Sequence, residues 1–281
     1  MAPVILQLKA LGIDNVLRFD YLSRPSSHSM VEGLQLLYAL GALDSKGRLT
    51  QPLGLQMAEF PLPPMHAKAL LTAESFECSR EMVAIVAMMQ IQDVFIQPVG
   101  RKHKAEVTKR KFAVAEGDHL TMLNVFTAFE KENRSKRWCS EHYVNYRGLC
   151  RAVEIRDQLV RFLKRYEVKM LSTKGLIEET EKIRRCLVSG FFSQAAYLHH
   201  SGNYRTVRED YPLNVYKGSA LMYRKDLPKW VVYTDVLQDS MRDVTAIESE
   251  WLHELAPHYY EYGTANELSR KRQKLGGDES E

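Results

Sequence analysis

The sequence predicts a mainly α-helical chain with a β-rich C-terminal part. Three observations carry this. Apolar residues recur at helical spacing from about residue 29 to about residue 189. From about residue 191 the period changes to short runs of β-branched and aromatic residues, punctuated by Gly202, Pro212, Gly218 and Pro228. Prolines at 61, 63 and 64 set a small N-terminal unit apart from the longer helical stretch.

The elements follow in order. Ser29 to Leu40 places Val31, Leu34, Leu37 and Tyr38 at helical spacing, with Gly41 as its C-terminal cap. Asp44-Ser45-Lys46-Gly47 is turn chemistry between short apolar pieces. A second helix is expected over Leu53 to Glu59. Helix, turn, short strands and helix is the order of a winged helix. A helical bundle should then occupy 66–187. Its helices are expected at His66 to Phe76, Arg80 to Ile91, His119 to Lys131, Gly148 to Tyr166 and Leu176 to Ser189. Asp118 is the expected N-cap of the third. In the fourth, Leu149, Val153, Leu159, Phe162, Leu163 and Tyr166 share one side. Tyr204 to Val207, Leu213 to Tyr216 and Trp230 to Val236 read as strands of a small barrel or sandwich. The chain turns polar after Tyr262 and is expected to be disordered there.

Composition excludes several classes. The chain has 281 residues, 45% of them hydrophobic, enough for a core without disulfides or metal. Its apolar runs are far short of the roughly 20 residues a membrane helix needs. Four widely spaced cysteines with no Cys-x-x-Cys suit a reducing compartment. The net charge of +4 permits an anionic partner without demanding one.

The motifs of nucleotide hydrolysis are missing. There is no G-x-x-x-x-G-K-[ST] and no Gly-Lys pair, so no P-loop can cradle a triphosphate. Asp-Glu occurs only in the tail, at Asp278-Glu279. No catalytic residue is expected. Cys139 and His142 have ligand-like spacing, but one pair is half a zinc site, and a buried structural cysteine is the plainer reading. His199-His200 reads as a loop pair. Gly117-Asp118-His119 resembles an acid–base pair, although capping accounts for the aspartate and packing for the histidine.

Basic clusters are the stronger signal. Arg101, Lys102, Lys104, Lys109, Arg110 and Lys111 form one; Lys131, Arg134, Lys136 and Arg137 form a second, just before Trp138; Lys182, Arg184 and Arg185 form a third. Lysine and arginine neutralise phosphates, and aromatics such as Trp138 and Tyr143 stack on bases. Solvated surface is the alternative for each run. Arg270-Lys271-Arg272-Gln273-Lys274 reads as a nuclear localisation signal.

In order along the chain stand Leu6-Gln7-Leu8-Lys9-Ala10-Leu11-Gly12-Ile13, Leu37-Tyr38-Ala39-Leu40-Gly41-Ala42-Leu43-Asp44 and Met57-Ala58-Glu59-Phe60-Pro61-Leu62. There follow Glu116-Gly117-Asp118-His119-Leu120-Thr121-Met122-Leu123-Asn124-Val125, Trp138-Cys139 and Ser189-Gly190-Phe191-Phe192. Trp230-Val231-Val232-Tyr233 and Trp251-Leu252-His253-Glu254-Leu255-Ala256-Pro257 close the series. Over residues 2 to about 260 this series resembles the C-terminal half of the DEAH-box RNA helicases of the pre-mRNA-splicing type.

The resemblance implies a winged helix over 1–65, a helical ratchet bundle over 66–187, a small OB-fold barrel over 188–260 and a tail over 261–281. It implies a nuclear protein. In the family, two RecA-like motor domains holding ATP and Mg²⁺ precede this module. They are missing from this sequence, so no cofactor and no unwinding activity are expected of these residues alone, and the chain looks truncated. Single-stranded RNA, and G-patch or spliceosomal proteins, are the implied partners. By position, Thr121, Asn124, Arg134, Lys136, Asn145, Arg147, Arg205, Lys217 and Ser219 are the candidate RNA contacts. Neutral donors such as Thr121 and Asn124 hold phosphates without stalling translocation, while Arg147 and Arg205 add charge. Asn124 could instead cap or pack within the bundle, and Trp138 could be core. A protein-docking scaffold that binds no RNA is the alternative function. Two stretches depart from the family. Arg24 alters the charge at Tyr21 to Ser26, and Lys217 stands where a proline is common.

Overall fold

The computed structural model describes residues 1–173 and 177–260. The chain opens with α1 (Ala2–Ala10), which carries a proline in its first turn, where the missing N–H costs nothing. A 3₁₀ turn at Val16–Arg18 is capped by the Asn15 side chain. α2 (Ser27–Ala39) begins where Ser26 Oγ accepts the Ser29 N–H. It ends in a Schellman motif. Gly41 takes φ +77° and donates to the Tyr38 carbonyl, and Ala42 donates to the Leu37 carbonyl. The Asp44 carboxylate then accepts the Lys46 and Arg48 N–H groups, closing the turn that lets Leu43 bridge Leu49. α3 (Leu53–Glu59) follows where expected.

One helix face differs from expectation. Leu37 is buried and Leu34 packs against the core as expected, but Val31 and Tyr38 are 46% and 55% exposed, and α2 buries Met30 and Gly33 in their place. The reason is Gly33. A Cβ there would stand 2.7 Å from Ile5 Cδ1, so the bare backbone is what α1 packs against. A pattern of apolar side chains cannot register a glycine contact.

The helical stretch continues with α4 (Pro64–Thr72), α5 (Ser79–Met89), α6 (Lys102–Arg110), α7 (Asp118–Lys131), α8 (Lys136–His142), α9 (Tyr146–Arg165) and α10 (Ile177–Phe191). α5 is central, with every residue from Met82 to Met88 buried, and it packs against α7 and α9. α9 presents Leu149, Val153, Leu159 and Leu163 inward, as its periodicity predicts. α6 and α8 were not expected. Their sequences are dominated by charge, and each buries a single residue, Ala105 and Cys139.

Seven short strands then form one sheet: β1 (Ala195–Leu198), β2 (Tyr204–Thr206), β3 (Pro212–Val215), β4 (Trp230–Val232), β5 (Asp235–Leu237), β6 (Ser240–Arg242) and β7 (Thr245–Ile247). Their order is β5-β6-β3-β2-β1-β4-β7, antiparallel except for β3 beside β6. Trp230 to Val236 is not one strand. It breaks at Tyr233, whose N–H donates to the Gln194 carbonyl, so that β4 pairs with β1 and β7 while β5 pairs with β6. α11 (Ser249–Leu255) and α12 (Pro257–Tyr260) return to the helical part.

One core runs from Ile5 through Leu70, Val83 and Phe191 to Tyr260. A second lies under α7, α8 and α9 around Phe129, and a third fills the sheet's interior around Tyr204, Val231 and Met241. Mainly helical with a C-terminal β part is thus the observed class. No helix among the described residues is long and apolar enough to cross a membrane. The basic run Arg270 to Lys274, the polar tail and residue 176 lie outside the described residues.

Candidate functional site

The helical part and the sheet meet along Glu116 to Thr121. Gly117 sits at φ +126°, and a Cβ there would lie 2.2 Å from the Val244 carbonyl oxygen. No L side chain fits, and the left-handed backbone favours glycine independently. The close approach lets Asp118 N–H donate to the Val244 carbonyl and Ala246 N–H to the Glu116 carbonyl, both at 2.8 Å.

The Asp118 side chain corrects a sequence expectation. Gly117, not Asp118, is the N-cap of α7. The carboxylate crosses to the β part. It accepts from Ser219 Oγ at 2.7 Å, from Ala220 N–H at 2.6 Å and from Val244 N–H at 2.8 Å. Three donors from another unit outcompete one local cap. Burial raises the Asp118 pKa, while these donors and the nearby Lys109 pull it down. His119 completes the joint. Its Nδ1 lies 2.8 Å from Thr245 Oγ1 and its Nε2 3.1 Å from Thr234 Oγ1. Burial pushes its pKa down to about 3, so the ring is neutral. With both nitrogens held by hydroxyls and Asp118 engaged elsewhere, the pair is a joint rather than an acid and a base.

Beside this joint an open groove of about 1080 Å³ separates α4, the 90–97 loop and the start of α7 from the 216–220 and 234–243 segments of the sheet. Thr121, Asn145 and Ser219 line it. All three are already engaged. Thr121 Oγ1 donates to the Gly117 carbonyl and accepts Val114 N–H, and Ser219 Oγ donates to Asp118 and accepts Leu221 N–H. Asn145 Oδ1 accepts Gly148 N–H, and its Nδ2 reaches the Asp93 carbonyl at 3.4 Å. Lys217 is exposed between two lining residues, Tyr216 and Gly218, and Arg147 is exposed two positions after Asn145.

The other candidates lie apart from the groove. Asn124 is exposed and donates to the Phe112 carbonyl. Arg134 pairs with Glu130 at 2.9 Å, and Lys136 is exposed in the first turn of α8. Arg205 pairs with Asp210 at 2.7 Å. The second and third basic clusters are largely matched by acids. Arg137 pairs with Glu141, Lys182 with Glu77 and Arg185 with Glu254. Arg184 lies over the Trp251 ring at 5.0 Å. Trp138 stacks on His142 at 4.5 Å and packs beside Phe129. Burial pushes the Cys139 thiol up to about 11, and no group of metal-ligating side chains occurs among the described residues. From the first cluster, Lys109 turns into the groove, donates to the Gly218 carbonyl and stands 5.2 Å from the Phe95 ring.

Sequence reasoning missed two lining residues, His66 and Gln194. His66 Nδ1 and Gln194 Oε1 are sealed from solvent without a hydrogen-bond partner. Each such group costs about 1–3 kcal/mol. Burial pushes the His66 pKa down to about 4, so it too is neutral at pH 7. A histidine after Pro63-Pro64-Met65 reads as an ordinary helix start, and nothing local signals an unpartnered atom. Asp243, also lining the groove, is pushed up to about 6 by burial and by the charge of Asp118.

Family models match the chain in three stretches, the first two adjoining and the third after residue 182. These are the helicase-associated winged-helix domain over 33–62, the ratchet-like helicase-associated domain over 63–122 and an oligonucleotide/oligosaccharide-binding fold over 183–259. The chain is 64% identical over 274 residues to the probable ATP-dependent RNA helicase DHX35 homolog of Caenorhabditis elegans, covering 98% of this chain and 37% of that protein. It is 54% identical over 278 residues to the probable ATP-dependent RNA helicase DHX35 of Homo sapiens, covering 98% and 39%. It is 37% identical over 279 residues to the pre-mRNA-splicing factor ATP-dependent RNA helicase prp22 of Schizosaccharomyces pombe, covering 98% and 23%. The chain therefore spans two fifths or less of the length of these relatives. On these matches and on the fold above, the chain carries the helicase-associated winged-helix and ratchet-like domains and an OB-fold, and over nearly its whole length it is similar to proteins named ATP-dependent RNA helicases.

Proposed function

We propose that this chain is the accessory module of an ATP-dependent RNA helicase and holds single-stranded RNA in the groove between its ratchet-like and OB-fold parts. The observation that carries the reading is that groove, in a chain so similar to proteins named RNA helicases. Gly117, Asp118 and His119 fix its two walls relative to each other, so the strand meets a preformed surface. Gln92 and Gln97 are exposed on one rim and Lys217 on the other, offering donors to sugar and phosphate oxygens. ATP and Mg²⁺ belong to motor domains of the parent helicase, and unwinding is theirs. Likeness to a protein named a pre-mRNA-splicing factor supports a nuclear role in splicing.

Fluorescence anisotropy with single-stranded RNA across a salt series tests this. Weak binding that falls as salt rises is expected, with a slope of about −0.7 per phosphate contacted. Affinity independent of salt argues against phosphate contacts.

A second reading has its own observation. Leu11, Leu17, Leu22 and Tyr38 are 76%, 47%, 111% and 55% exposed on the N-terminal unit. Apolar exposure of this kind supports protein docking, with a G-patch or spliceosomal protein as partner. A pull-down with and without ribonuclease separates the readings. Partners that survive the enzyme favour docking, and partners lost with it favour RNA.

A further inference from the structure

We propose that His66 and Gln194 form a subsite for the edge of an unstacked nucleobase of single-stranded RNA. The proposal rests on the functional reading above and adds what the groove floor recognises, a neutral hydrogen-bonding base edge, while the rim meets sugar and phosphate.

The two side chains come from distant parts of the sequence to one floor. His66 lies on α4, and Gln194 lies just before β1. Their chain neighbours touch, with Ser193 Oγ 3.6 Å from Met65 Sδ. The His66 ring stands edge-on to Phe191, 5.1 Å away, and the Phe191 carbonyl accepts the Gln194 N–H. His66 is 7% exposed. His66 Nδ1 and Gln194 Oε1 are each sealed and without a partner among the described residues, beside the groove. In the adjoining joint, by contrast, Asp118, His119, Thr121 and Ser219 all have partners.

Charge selects the ligand. Asp93, Asp118, Asp235 and Asp243 line the groove against Lys109 and Arg242. Lys109 donates to the Gly218 carbonyl, and Arg242 lies 5.6 Å from the Tyr216 ring. Four carboxylic acids against two engaged cations make a poor phosphate cradle. A base edge is neutral and presents adjoining donors and acceptors. Glutamine offers one of each in a fixed plane, and a neutral histidine offers one of each on its ring. A half-turn of the Gln194 amide exchanges its carbonyl and amino groups, and a half-turn of the His66 ring exchanges Nδ1 with a ring carbon, so each unpartnered atom can be turned. Burial keeps His66 neutral at pH 7, as such an exchange requires. Met65 and Met89 also line the groove and supply adaptable apolar surface for the face of a base.

The test uses the purified 281-residue chain with His66→Leu and Gln194→Met, each replacing an unpartnered polar group by an apolar one of similar size. Anisotropy is read with short homopolymeric RNA and with an abasic ribose-phosphate oligomer of equal length. Each variant should keep the parent's melting temperature or exceed it. Each should bind RNA roughly tenfold more weakly with an unchanged salt slope. The abasic oligomer should bind parent and variants alike. A parent that binds RNA no better than its variants do overturns the subsite and leaves the functional reading standing. Equal loss with the abasic oligomer does the same. A parent that binds no RNA at all overturns both.

Discussion

Two neighbouring regions of this molecule treat polar groups in opposite ways. In the joint at Glu116 to Thr121, the buried carboxylate, imidazole and hydroxyls are hydrogen-bonded across the boundary between the helices and the sheet. In the groove floor a few residues away, His66 and Gln194 keep sealed polar atoms with no partner. Satisfied polar groups specify a geometry, and unsatisfied ones are tolerated only where something else is gained. The joint is therefore the structural device, and the floor is the place to look for a ligand. The Gly-Asp-His stretch looks like chemistry in the sequence and is architecture in the fold.

The joint is most vulnerable at Gly117. Gly117→Val adds a side chain into the Val244 carbonyl at a left-handed backbone position. The combined strain and overpacking should cost about 3–5 kcal/mol. Urea denaturation should show a large fall in midpoint, and a change under 1 kcal/mol would mean the joint is not tight. Asp118→Ala comes next. It strands the Ala220 and Val244 amides and the Ser219 hydroxyl, at a cost of roughly 3 kcal/mol. Hydrogen exchange should then quicken at Val244 and Ala246 before it does in α5. Uniform quickening would place the carboxylate's role elsewhere.

The floor should respond with the opposite sign. Folded, His66 stays neutral down to about pH 4, whereas in the unfolded chain it takes a proton near 6.5. The unfolded state binds more protons between those values, so His66 lowers stability as pH falls from 6.5 to 4. His119 acts in the same direction down to about 3, and Asp243, raised to about 6, acts oppositely between 3.8 and 6. His66→Leu removes one of these contributions. Its stability relative to the parent should rise by about 2 kcal/mol between pH 7 and pH 4.5. A pH-independent difference would show that His66 is not neutral and buried.

The smallest effect is expected on the outer basic surface. Lys136→Glu and Arg134→Glu lie away from the groove, and Arg134 already has a partner. Stability should move by less than about 0.5 kcal/mol. RNA affinity should fall far less than for groove-rim Lys217→Glu, and equal losses would spread binding over the whole surface.

Legibility in the sequence tracked the range of the signal. α3, α7 and α9 follow from apolar periodicity within one element, and their positions lie close to those expected. The change of period near residue 191 announces the sheet, because β-branched and aromatic residues suit a pleated surface. Short strands blur it. β4 and β5 read as one run because the break depends on Tyr233 bonding a residue 39 positions earlier. α6 escaped notice because Glu106 and Lys109 are fixed by Tyr223 and Gly218, not by an apolar stripe. Asp118 reads as a cap of its own helix because its real partners stand 101 to 126 positions away. His66 and Gln194 gave no signal, since a missing partner exists only in three dimensions.

The most direct test of RNA in the groove is photo-crosslinking of the purified chain to single-stranded RNA bearing 4-thiouridine, with the adducts located by mass spectrometry. Adducts are expected in the 90–97 loop, at Asn145 and at Tyr216. Adducts confined to Arg134 through Arg137 or to the outer face of α9 would contradict it.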